Sequence, residues 1–132
     1  MAAKRTTLSV LAPFTGAGNS IDVDIQTGTM MHVEVDITAG SGTPTFSLWM
    51  EGSVDGSATW FRLVADLLNT DINGTIADVA TPRSNIVNAS TATTVDRYSA
   101  VYKHLPCDKV RARWTMTGGT PSRTFAVYIG VK

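Results

Sequence analysis

Apolar and polar side chains alternate one for one along most of this chain, and that period of two dictates strands. Met31, Val33, Val35 and Ile37 alternate with His32, Glu34, Asp36 and Thr38. Leu8, Val10 and Ala12 alternate with Thr7, Ser9 and Leu11, and Ile21, Val23 and Ile25 alternate with Asp22, Asp24 and Gln26. Phe46, Leu48 and Met50 oppose Ser47, Trp49 and Glu51. Tyr98, Ala100 and Tyr102 oppose Arg97, Ser99 and Val101. Val110, Ala112, Trp114 and Met116 alternate with Arg111, Arg113, Thr115 and Thr117, and Phe125, Val127, Ile129 and Val131 close the chain. Successive side chains of a strand point to opposite faces, so each segment predicts one buried face and one wetted face. As helices, the same segments would carry apolar groups all round.

The chain has 132 residues, enough for one domain with a real core. Residues 1–132 are read as a single unit, with 1–7 an N-terminal arm or a frayed end. Residues 66–93 form a long irregular or short-stranded connection, because no sustained period runs through them. Leu8 to Phe14 is too short, and too broken by Ser9 and Pro13, for a signal peptide, so it reads as the first strand. No apolar stretch approaches the roughly 20 residues of a membrane helix.

Two stretches echo each other. Val33 to Thr38 is followed by Gly42-Thr43-Pro44, and Val110 to Thr115 by Gly119-Thr120-Pro121, at a constant offset of 77 residues. Past the prolines the offset grows by two, which keeps every side chain on its face. Each echo reads as a long hairpin around a Gly-Thr-Pro turn. The fold class expected is all-β: an antiparallel β-sandwich, with a jelly-roll-like arrangement as one version, containing two similar long hairpins.

Charge and chemistry narrow the function. Eleven basic residues balance eleven acidic ones, and only 17% of residues are charged. A neutral chain lacks the positive field that drives nonspecific nucleic-acid binding. Such a surface resists self-association poorly, as expected of one normally covered by a partner. The lone Cys107 excludes a disulfide framework and reads as a small buried or half-buried hydrophobe. His32 and His104 have no spacing that pairs them with a nucleophile, so no catalytic residue and no cofactor is assigned. Asp22, Asp24, Glu34 and Asp36 would hold a cation if their strands were neighbours. Pairing with a basic row such as Arg111 and Arg113 is the plainer reading, so no metal site is assigned. Trp114 shares a face with Val110 and Ala112 and belongs to the core. Trp49 lies opposite Phe46, Leu48 and Met50 and is the expected surface anchor.

The segment from Glu51 to Trp60 carries Ser53, Asp55-Gly56 and Trp60 as Ser-x-Asp-Gly-x-x-x-Trp. It resembles a hairpin found in small β-sandwich proteins of tailed-bacteriophage particles, and Val110 to Val131 looks like the usual end of those proteins. The resemblance covers about residues 30–65 and 97–132. A sialidase Asp box is also similar. Here glycine directly follows Asp55, Ser57 takes the Asp-box glycine position, and one copy is present, which argues against a propeller enzyme. What the resemblance implies is a virion part at the capsid surface. It would be a decoration or cement protein that bridges copies of the major capsid protein and self-associates, with a trimer favoured. The contacts expected are Trp49, the 66–93 stretch, and Lys4 and Arg5 of the arm. The alternative is a tail- or fibre-associated module binding carbohydrate or a receptor through Trp60, with Asp55 on the adjacent turn.

Overall fold

The computed structural model describes residues 4–64, 67–70, 85–89 and 96–131. Among these residues nine strands follow one another: β1 Lys4–Phe14, β2 Gly18–Asn19, β3 Val23–Asp24, β4 Met31–Ser53, β5 Phe61–Arg62, β6 Leu67–Thr70, β7 Asn85–Ala89, β8 Asp96–Tyr102 and β9 Lys109–Val131. Every pairing among them is antiparallel.

Two strands of 23 residues each, β4 and β9, organise the rest. They pair with each other over almost their whole lengths, from Met31↔Val131 to Ser53↔Lys109. Halfway along, register shifts interrupt the ladder between Ile37 and Ala39 and between Ser41 and Thr43. Shifts of this kind bend a strand and re-aim its side chains. The ladder therefore folds over into two layers. In the first, the order is β1-β9-β4-β8-β6. In the second, the other halves of β9 and β4 form the centre, with β2 and β3 beside β9 and β5 and β7 beside β4. The result is two antiparallel sheets in a sandwich-like arrangement consistent with a jelly-roll-like fold.

The long hairpins expected from the echo are corrected here. Val33 pairs with Ile129 and Leu48 with Trp114, each in the other echo. The backbone of Gly42-Thr43-Pro44 runs through the corner and stays in the ladder, with Pro44 opposite Gly118. The echo exists because both strands need the same sequence plan: an alternating half, a corner of small residues, and a second alternating half. Of the arm expected at 1–7, Lys4 to Thr7 are paired with Val131 to Tyr128 and belong to β1, and 1–3 lie outside the described residues.

The corner also solves a parity problem. Ile37 and Phe46 are nine residues apart, as are Met116 and Phe125, yet all four are buried. In an unbroken pleat such pairs would face opposite ways. The register shifts absorb the odd residue, so both halves send their apolar rows inward. Gly118 takes a left-handed φ of 118° at this bend. Gly40 is required there by close approach: a Cβ would lie 2.6 Å from Nη1 of the fully buried Arg123. That Nη1 donates to the Ser122 carbonyl at 3.0 Å.

The core joins the layers through rings. Phe125 lies 5.0 Å from Phe46 and 5.0 Å from Trp114, centroid to centroid, and Phe14 sits 4.8 Å from Phe125. Trp114 is core, as its position predicts, and the lone Cys107 is buried there too. The alternation of β1 is broken. Register shifts between Thr7 and Ser9 and between Ser9 and Ala12 leave Val10 70% and Leu11 53% exposed, while Leu8 stays buried.

Phe125 is the ring common to both layers. Replacing it with alanine is expected to cost about 3–5 kcal/mol of unfolding free energy, whereas Val10→Thr should stay within about 0.5 kcal/mol. Denaturant unfolding of the two variants beside the parent measures both.

Candidate functional site

The outward side of the second layer carries most of the residues singled out in the sequence. Register places Arg62, Glu51 and Arg111 across three neighbouring strands, with Trp49 opposite Arg113 one row away. Trp49 is on the outward face, as its position opposite Leu48 requires, but it is only 6% exposed. Its expected exposure is corrected. The Arg62 guanidinium carbon stands 3.8 Å from the Trp49 ring, and the indole Nε1 donates to Glu51 Oε2 at 3.2 Å. The other Glu51 oxygen accepts from Arg111 Nε at 2.9 Å. Arg111 in turn lies 4.2 Å above the half-buried Trp60 ring. Two indoles, two guanidiniums and one carboxylate thus satisfy one another, by cation–π contact and charge-assisted hydrogen bonds.

This face has little left to offer a sugar. Stacking on a carbohydrate needs an open aromatic face: Trp49 is buried under Arg62, and the half-buried Trp60 has one face covered by Arg111. Alternation put Glu51 on the side of Trp49. It gave no sign that Arg62, arriving from another strand, would lie on the ring.

Asp55 is committed to its own turn. Its Oδ1 accepts from Ser53 Oγ at 2.8 Å and from the Thr59 amide at 2.9 Å, and Oδ2 accepts from the Thr59 hydroxyl. Ser53, fully buried, receives the Ser57 amide at 3.1 Å. Gly56 and Ser57 both take positive φ, which a tight turn of this shape demands. The hydrogen bonds from Thr59, then Ser53, favour the charged form of Asp55 and bring its pKa to about 2. The Ser-x-Asp-Gly signature is therefore a turn-building device.

The four carboxylates weighed as a cation site are not assembled. Asp24 pairs with Lys109 at 2.5 Å, and Asp22 lies 4.0 Å from the same ammonium. Asp22 also accepts from Ser57 Oγ at 2.8 Å, which lowers its pKa. Glu34 and Asp36 sit in the other layer and share Arg97, at 3.1 and 2.6 Å. The acidic rows are paired as the plainer reading had it, but by Lys109 and Arg97 rather than by Arg111 and Arg113. Among the described residues no group of three or more His, Cys, Asp or Glu side chains is placed to hold a metal ion. Nor is any helix there long and apolar enough to cross a membrane.

Lys4 opens β1 opposite Val131, and Arg5 follows opposite Gly130. The Arg5 guanidinium carbon rests 3.7 Å from the Tyr128 ring centroid. The first layer's outward face thus holds Arg5, and the second holds Trp49, Asp55 and Trp60.

No family model matches this sequence, and no curated protein matches it. Solved structures do share its fold, and they define it as an antiparallel β-sandwich of a kind seen in viral and prophage-derived proteins. Over its full length the chain is similar to the SPBc2 prophage-derived protein YomS, with a TM-score of 0.56, 15% identity and 96% of that chain covered. It is also similar to the infectious bursal disease virus Gx strain structure, with a TM-score of 0.54 and 12% identity. The VP2 subviral particle of the same virus gives 0.53 and 9%. In both cases 98% of this chain spans 31% of the viral one. At these identities the likeness is one of fold.

The charged form of Asp55 is favoured in the folded state, so its contribution is present above its ordinary pKa of 3.8 and is lost as pH falls toward about 2. Asp55→Asn is expected to flatten the acid limb of the stability curve between those values. Thermal unfolding of parent and variant across that range measures it, and identical slopes would remove Asp55 from the account.

Proposed function

We propose that this chain is a structural protein of a phage or viral particle, acting at the capsid surface as a decoration or cement protein. In this role it bridges copies of the major capsid protein and self-associates, with a trimer the favoured state. The observation that carries the reading is the end-to-end fold similarity to a prophage-derived protein, 100% of this chain against 96% of the other. A fold shared with a viral particle protein supports it. So does the site chemistry, since Trp49, Trp60, Asp55 and Glu51 are consumed by intramolecular contacts that build surface and turn.

The surface available to a shell is apolar in places. Val10 and Leu11 project from β1, an edge strand of the first layer that, among the described residues, pairs only with β9. Exposed apolar side chains at a strand edge are unusual unless covered. They replace Trp49 as the foremost contact, because Arg62 already covers that ring. The tail- or fibre-associated carbohydrate reading placed its site at Trp60 and Asp55, and the engagement of both weighs against that location.

The purified protein is expected to sediment with undecorated capsids, and to run as a closed oligomer in light scattering after size exclusion. A Val10→Asp, Leu11→Asp double variant should fold normally and bind capsids at least about tenfold more weakly, a loss of roughly 1.4 kcal/mol. Equal binding by the variant would sink the β1 contact. No binding by the parent would sink the capsid role.

A further inference from the structure

One recess on the first layer is not explained by the role proposed above. It measures about 220 Å³ and is lined by Arg5, His32, Glu34, Tyr128, Ile129 and Gly130. Its origin is a missing side chain. Arg5, Gly130 and His32 occupy one row across β1, β9 and β4, and Thr7, Tyr128 and Glu34 occupy the next. On this outward face Gly130 leaves a hole, with an arginine on one flank and a histidine on the other. The two flanking strands lie roughly 9–10 Å apart, twice the usual strand spacing.

We propose that this recess receives a carboxylate, specifically an Asp or Glu side chain of a partner protein. Stacked 3.7 Å from the Tyr128 centroid, the Arg5 guanidinium has its plane held while its N–H edge stays free to donate. Among the described residues no carboxylate pairs with it. His32 supplies a second donor from across Gly130, and it is exposed. Glu34, the acid in the lining, is drawn to Arg97 at 3.1 Å, and Arg97 is shared with Asp36 at 2.6 Å. A singly charged carboxylate is therefore accommodated. A sugar ring stacking on Tyr128 from the recess side would compete with Arg5 for that face. The volume suits one side chain, and the position over a strand glycine holds it against backbone.

The test is a heteronuclear NMR titration of the isotope-labelled protein with N-acetylglutamic acid α-amide. N-acetylglutamine amide and glucuronate serve as parallel arms. The expected result is saturable shifts at the Gly130 and His32 amides, with a Kd on the order of millimolar, and none with the neutral amide. Arg5→Gln, at an exposed position that leaves the fold intact, should weaken binding about tenfold, as the loss of a charge-assisted hydrogen bond does. Gly130→Val, in extended strand, should fill the recess and abolish the shifts while the spectrum stays dispersed. Absence of saturation, equal shifts with the neutral amide, or unchanged binding in Arg5→Gln would overturn the proposal. Tighter binding of glucuronate would overturn the assignment to a protein side chain. The capsid role is judged separately, by sedimentation.

Discussion

The pairing of β4 with β9 is the constraint on which the molecule rests. Two strands of 23 residues carry the centre of both layers, so the layers share one continuous ladder. Every other strand is attached to that ladder directly, except β6, which is attached through β8. A sandwich of two separate sheets must hold its layers together by packing alone. Here the corner joins them covalently and by backbone hydrogen bonds, and the ring contacts of Phe46, Trp114 and Phe125 close the interior beside it.

The corner itself is costly to build. It needs bulges to bend both strands, a glycine at positive φ, and a glycine at position 40 to admit a fully buried arginine. Burial lowers the pKa of Arg123, and Tyr98 offsets part of that effect. These features share one role: they let two pleated strands turn over while keeping their apolar rows inside.

The outward faces follow a different logic. Each polar row is made of residues that meet only because strands are adjacent: Arg62 on Trp49, Arg111 on Glu51 and Trp60, Arg97 between Glu34 and Asp36, and Lys109 on Asp24. Exposed pairs of this kind contribute little stability singly. Their effect on function is larger, because they decide which groups remain for a partner. Trp49 and Asp55 are taken out of play, while Arg5 and the hollow over Gly130 remain.

Local pattern carried much of this structure. The period of two set the strand class, and residue parity put Trp114 and Met50 inside and Trp49 and His32 outside. The Asp55-Gly56 pair marked its turn. These are properties of a few neighbouring residues, so they are legible along a single chain. What the chain could not show is anything that depends on which strand lies next to which. The echo of Val33–Thr38 in Val110–Thr115 looked the same whether each half closed on itself or paired with the other, and only the register Leu48↔Trp114 decided it. The exposure of Val10 and Leu11 came from register shifts against β9, and the covering of Trp49 came from Arg62 on a neighbouring strand. Alternation sets which face a side chain occupies. Its neighbours across the ladder belong to the fold, because they come from distant parts of the chain that meet only once the sheets form.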